Sequence, residues 1–467
     1  MKPEKTKTYG MDMTSGPVLK KMLLFALPLM GSGILQLLFN AADIIVVGRF
    51  AGDNSLAAVG STSSLINLLV NLFVGLSVGA NVVAARNFGA KKPEEIRATV
   101  HTATALGIYS GIFLTIAGLT GARAILSWMR TPPEVLGLAA LYLRIYFLGM
   151  PATMVYNFGS AILRAAGDTK RPLYYLFLAG VINVILNLVF VIFFRMDVAG
   201  VAAATAISQF AAAFCVVRCL RKEKPPMRLE VRKIAVHSGK LAGILRIGLP
   251  AGLQGILFSF SNVVIQSSVN SFGPVIVAGN SAAMNIEGFV YLAMNAFYQA
   301  AISFVSQNYG AGNFPRIRRI TITGQFCVTV TGLALSSLVL LAPEILLQLY
   351  TSSPEVIRAG VTRLSYVVRT YILCGMMDVM VGALRGTGYS VLPMLVTLIG
   401  VCGLRLLWIA TVFRIPQFHT IETIYVSYPI SWLLTFCCHL ISFLVIFRRD
   451  SRRMQLPQPG STETPDT

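Results

Sequence analysis

Residues 27–48 read LPLMGSGILQLLFNAADIIVVG, a stretch apolar enough to cross a bilayer that still carries a carboxylate, Asp43. Gln36, Asn40 and Asp43 are spaced four and three apart, so a helix places them on one face. An Asp at the centre of a membrane helix costs roughly 2.5–3.5 kcal/mol on insertion scales. A polar stripe that ends in an acid, with Ile-Ile-Val-Val still to come before Gly48, predicts an interior cavity lined by Gln36 and Asn40.

The rest of the chain repeats this apolar character. It has 467 residues, of which 55% are hydrophobic and only 12% charged, and its mean hydropathy is +0.70. Runs near the ~18–20 residues that span a bilayer recur throughout, at 18–48, 55–85, 97–121, 135–162, 172–194, 200–218, 244–271, 275–306, 319–342, 356–383, 391–413 and 424–447. A transmembrane barrel would instead show alternating segments of ~10 residues. The expected fold is an all-α polytopic membrane protein with twelve transmembrane helices.

The net charge of +20 would suggest nucleic acid in a soluble protein. Here the basic residues lie between apolar runs, so they report topology, and no nucleic-acid partner is expected. Twelve spans put both termini on one side. Most of the 39 Lys and Arg residues fall on that side; the opposite loops hold only Arg49, Arg123, Arg130, Arg195, Arg358, Arg363 and Arg414. Both termini are therefore expected in the cytoplasm, with the chain a multi-pass protein of the plasma (inner) membrane. Residues 1–16 form a polar leader without the pattern of a cleavable signal peptide. Residues 450–467 form a polar, Pro-containing tail expected to be disordered. The seven cysteines lie in or beside apolar runs without CxxC spacing and read as packing residues. The four histidines are scattered and suggest no metal site.

Two halves repeat. Asn87-Phe88-Gly89-Ala90 matches Asn308-Tyr309-Gly310-Ala311, and Pro133-Glu134-Val135 matches Pro354-Glu355-Val356. Leu163-Arg164 matches Leu384-Arg385, Gly167 matches Gly388, and Pro172 matches Pro393, all at one offset. The chain thus divides into an N-terminal six-helix lobe (17–218), a basic cytoplasmic linker (219–243) and a homologous C-terminal lobe (244–449). Six spans is an even number, so the two bundles insert the same way up. A pseudo-twofold axis along the membrane normal relates them, and a substrate path runs most naturally between them.

These motifs resemble the multidrug and toxic compound extrusion family over about residues 16–449. The resemblance rests on the Pro28…Asp43 first helix, on Asn87-Phe88-Gly89-Ala90 and its copy, and on Leu163-Arg164-x-x-Gly167-Asp168-Thr169. It implies a secondary antiporter that exports organic, often cationic, drug-like compounds against H⁺ or Na⁺ by alternating access between the lobes. It also implies an ion site of an Asp on the first helix, Asn-x-x-x-Asp on the fifth and Thr on the sixth. Asp43, Asn183 with Asn187, and Thr205 take those places, with Asn187 where the pattern has the second acid. At 1.5 Å per residue, Asp43, Asn187 and Thr205 each lie roughly 8–10 Å inside the outer ends of their spans. One carboxylate, two amides and a hydroxyl at one depth suit a proton, or Na⁺ with water. Asn and Thr also serve as interhelical hydrogen-bonding residues in membrane bundles. A second acidic pattern known in one subgroup is missing, since Phe258 and Cys374 stand at those spacings.

The C-terminal lobe carries its own charges, Glu287, Asp378 and Arg405. Glu287 lies on a stripe with Tyr291, Met294 and Tyr298, and similar depth pairs it with Arg405. Tyr156, Phe158, Tyr291 and Tyr298 are candidate cavity aromatics.

The expected partners are a small organic substrate and the bilayer, for a monomer with no cofactor beyond the coupling ion and no enzymatic activity. A related alternative is a flippase for lipid-linked saccharides, which calls for a more cationic cavity than Arg144, Arg369 and Arg405 supply. A channel would need a repeated pore loop. A major-facilitator transporter would need its basic Gly-x-x-x-Asp-Arg-like loop where Asn87-Phe88-Gly89-Ala90-Lys91-Lys92 stands. Nucleotide-driven transport would need a Gly-x-x-x-x-Gly-Lys-Ser/Thr loop, which the chain lacks.

Overall fold

The computed structural model describes residues 10–455; residues 1–9 and 456–467 lie outside it, and with them most of the expected leader and tail. The N-terminal lobe comprises α1 (Val18–Phe50), α2 (Asp53–Gly89), α3 (Pro93–Trp128), α4 (Pro133–Leu148), α5 (Met150–Ala165), α6 (Lys170–Leu188) and α7 (Asp197–Lys222). The C-terminal lobe comprises α8 (Ser238–Asn270), α9 (Pro274–Gly310), α10 (Phe314–Leu341), the short α11 (Pro343–Gln348), α12 (Pro354–Val367), α13 (Tyr371–Gly386), α14 (Val391–Thr397), α15 (Leu404–Ala410) and α16 (Ile421–Gln455). Among the described residues, eleven helical spans are long and apolar enough to cross a membrane, and α4 with α5, bent by 46°, makes a twelfth. Every expected span falls on one of these.

Helix starts and stops follow the local sequence. Proline occupies the first helical turn of α3, α4, α9 and α12, where its missing N–H costs nothing. The repeat is visible in the backbone itself. Gly52 and Gly273, Gly167 and Gly388, and Lys91 and Gly312 all have positive φ, and each pair is separated by the offset read from the sequence.

Three expected boundaries move. α7 continues to Lys222 and α8 begins at Ser238, so the linker narrows to 223–237; Arg221 and Lys222 suit the negative end of the helix dipole. The linker is docked, with Met227 and Leu229 buried in the N-terminal lobe. The Glu230 backbone N–H donates to His101, and that of His237 to Thr102. α16 runs through 450–455, part of the expected disordered tail, because residues 450–456 hold no Pro or Gly to break the helix before Pro457.

The leader also ends in structure. The Met13 side chain is fully buried in the core of the C-terminal lobe. Its N–H donates to Gln307 at 3.2 Å, and its carbonyl accepts from Asn308 and Arg316 at 3.1 and 3.0 Å. Asp12 closes the turn with Thr14 and Ser15. Partial burial acts to raise the Asp12 pKa, but the hydrogen bonds from Ser15 and Thr14 and the Lys21 charge outweigh it, to about 2.

The lobes meet along the half of the bundle that holds both termini. There Gly75 and Gly79 of α2 lie against Gly252 and Gly248 of α8 with no room for a Cβ. Arg86 sits 4.5 Å from the Tyr309 ring centroid, and Ser303 donates to Asn81 across the lobes. In the other half the apolar clusters each draw on one lobe only. The molecule is thus closed at its terminal end and splayed at the other.

Candidate functional site

The N-terminal site is built where the C-terminal half of α1 packs between α6 and α7. Asn187 donates its amide to Asp43 Oδ1, and to Asn183 Oδ1 at 3.2 Å. Asn183 donates to Thr205 Oγ1 at 3.2 Å, which in turn lies 3.5 Å from Asp43 Oδ2. Asn183 and Asn187 are buried; Asp43 and Thr205 are partly so. The structure therefore brings together the four residues that three separate helices contribute. Immediately after Asn187 the helix loosens into a π-helical turn, Val189–Phe193, a distortion frequent at functional sites. Gln36 and Asn40 are exposed and hydrogen-bond neither to Asp43 nor to its partners. Chemically, the site is one carboxylate that accepts from neutral donors, in a setting where Asn187 Oδ1 is buried without a hydrogen-bond partner among the described residues.

The C-terminal lobe encloses a second polar site, a cavity of about 570 Å³. Glu287, Asp378 and Arg405 all line it, with Arg363, Arg385, Tyr291, Tyr298, Tyr428 and Trp432. Asn71, Gly75 and Val78 of α2 also reach it, so both lobes contribute wall. The expected Glu287–Arg405 pair is not formed. Glu287 instead pairs with Arg363, Nε and Nη2 each 2.8 Å from a carboxylate oxygen, and Arg363 Nη1 donates to Asn280 at 2.7 Å. Arg405 donates to Ser431 at 2.8 Å and lies over the Tyr428 ring. Depth along the membrane normal matched Glu287 to Arg405, but α12, which carries Arg363, packs along α9, whereas α15 packs against α8 and α16. Of the four candidate aromatics, Tyr291 and Tyr298 line the cavity, while Tyr156 and Phe158 are core of the N-terminal lobe. Phe258 and Cys374 line it too.

A family model described as MatE matches residues 28–189 and, a second time, residues 250–410. The chain belongs to the MatE family. It is 27% identical over 427 residues to the probable multidrug resistance protein YoeA of Bacillus subtilis, covering 90% of this chain and 92% of that one. It is 29% identical over 395 residues to the probable multidrug resistance protein YpnP of the same organism, covering 84% and 88%. A solved outward-facing conformation of a multidrug resistance MATE family transporter of the MOP superfamily superposes with a TM-score of 0.89 at 22% identity, over 96% of this chain and 100% of that one; that likeness shows a shared fold.

Two features of this MatE chain escape the sequence reading above. Arg363 and Arg385 read as loop charges, yet both are buried and face the cavity; for Arg363, its position several residues inside the expected span 356–383 was the available signal. The lobe contact carries two facing small-residue motifs, Gly75-x-x-x-Gly79 and Gly248-x-x-x-Gly252. Such motifs bring membrane helices into backbone contact, and both can be found by inspection.

Proposed function

We propose that this chain is a secondary antiporter of the plasma membrane, a monomer with both termini in the cytoplasm, that exports small organic compounds in exchange for protons. The observation that carries the reading is the one carboxylate of the N-terminal site, Asp43, held by Asn187 and Thr205. A lone acid can load and release a proton as its surroundings change between inward- and outward-open states, and that differential binding biases the two states. One charge moved through 100 mV is worth about 2.3 kcal/mol.

Protons are favoured over Na⁺ by the donor set. Asn187 turns its amide nitrogen toward Asp43 and offers no second carboxylate. A hard cation wants several oxygens at once, and collecting them here would require the Asn187 amide to rotate. The C-terminal cavity, walled by both lobes, is the natural place for the cargo, and closure at the terminal end supports alternating access. The test is efflux from liposomes with proton and sodium gradients imposed separately. A proton gradient should drive export and a sodium gradient at clamped pH should not; the reverse result would overturn proton coupling. Asn187→Asp should raise Na⁺ affinity in the same preparation.

A further inference from the structure

The charges in the C-terminal cavity do not cancel. It holds three arginines and two carboxylates. The forked Glu287–Arg363 contact is neutral as a pair. Neither Arg385 nor Arg405 forms an ion pair among the described residues. Arg385 donates to the Tyr298 hydroxyl and, at 2.7 Å, to Gln254. Arg405 is 1% exposed. It gives Nε to Ser431 and lies 4.0 Å from the Tyr428 ring centroid and 5.3 Å from that of Trp432. Its Nη2 is buried without a hydrogen-bond partner among the described residues. Asp378 makes no hydrogen bond or ion pair among those residues, and it sits seven positions from Arg385 on α13, roughly 10 Å along the axis. Two free guanidiniums against one free carboxylate leave one positive charge in excess.

An unpaired charge inside a membrane bundle is costly. Aromatic faces offset part of the cost for Arg405, but they leave the outer N–H groups of the guanidinium free. Those groups form a planar donor edge whose natural complement is a carboxylate or phosphate oxygen. We infer, on the reading of this cavity as the cargo site, that it selects an organic monoanion with a flat apolar body, in place of the cation that the resemblance implies. The acid group meets Arg405 Nη2, and the body lies among Tyr291, Tyr428 and Trp432. A single negative charge brings the cavity to neutrality, so a monoanion is preferred over both a neutral analogue and a cation of the same shape.

Three probes of one ring system separate these cases: 2-naphthoate, 2-naphthamide and 2-(aminomethyl)naphthalene, measured by equilibrium dialysis against the purified full-length protein at pH 7 without any gradient. Naphthoate should bind at least tenfold more tightly than the amine, with the amide between them. Arg405→Gln should weaken naphthoate about tenfold and leave the amine unchanged or improved, and Arg405→Lys should recover part of the loss. Equal or tighter binding of the amine, binding of none of the three, or an unchanged preference in folded Arg405→Gln would overturn the assignment. The comparison of probes on the unmodified protein stands even if the variant fails to fold. Because no gradient is applied, failure of coupled efflux would count against the antiport reading alone, and a reversed probe order would count against anion selection alone.

Discussion

Glu287 and Arg363 form the most completely satisfied charged contact inside the membrane bundle: two parallel 2.8 Å bonds, with Asn280 taking the third nitrogen. Breaking such a pair from one side leaves a buried charge, at a cost of roughly 3–5 kcal/mol, whereas neutralising both partners restores much of it. Arg363→Ala should therefore lower the thermal stability of the purified protein sharply, and Glu287→Gln with Arg363→Gln should recover part of the loss. Glu287→Gln combined with Arg405→Ala should be additive to within about 0.5 kcal/mol, as expected of residues that share no contact. Additive losses for Glu287 and Arg363 would show that the pair contributes no coupling. The sequence already shows that Glu287 needs a cation, since its depth on an apolar helix demands one. It does not show which one, because depth is a single coordinate, which pointed to Arg405 while Arg363 read as a loop charge. Lateral neighbourhood, α12 beside α9, comes only with the packed bundle.

At the level of elements, α2 and α8 approach backbone to backbone at their facing glycines, with Val78, Val82 and Ile247 packed beside them. A Cβ on Gly79 would overlap the Ile244 carbonyl and the Gly248 backbone, and one on Gly252 would overlap Leu72. Backbone cannot move aside as a flexible side chain can. Gly79→Val should still insert and fold, since each lobe has an apolar cluster of its own, but it should hold the terminal end apart. The check is hydrogen–deuterium exchange of segments 244–252 and 304–311. Both should exchange faster in the variant than in the unmodified protein, and unchanged protection would contradict the close-approach account. The starts of α4 and α12 and the ends of α5 and α13 were legible, because Pro-Glu-Val and Leu-Arg recur in both halves. The docked linker and the buried Met13 were not legible. Polar composition marks a segment as lying outside the bilayer, and says nothing of whether backbone hydrogen bonds such as those to Gln307 and Asn308 hold it against the bundle.

The whole molecule is two copies of one six-helix unit whose sites have diverged. The N-terminal copy gathers a lone acid among amides and a hydroxyl. The C-terminal copy gathers a neutral ion pair, two further arginines and aromatic rings around a cavity. The repeat and the acid could be read from the sequence because each leaves a periodic or compositional mark. The division of labour could not, because it depends on which charges neutralise one another in space. In the account proposed here, the N-terminal copy carries the ion, the C-terminal copy carries the cargo, and the glycine-lined contact of α2 and α8 opens and closes between them. Asp43 is the one titratable group on which the coupling rests. The most direct measurement is therefore transport by Asp43→Asn in liposomes, once with an imposed proton gradient and once as exchange of labelled for unlabelled cargo without a gradient. The account predicts that the variant inserts and folds, retains exchange and loses gradient-driven export. Undiminished gradient-driven export by Asp43→Asn would contradict it.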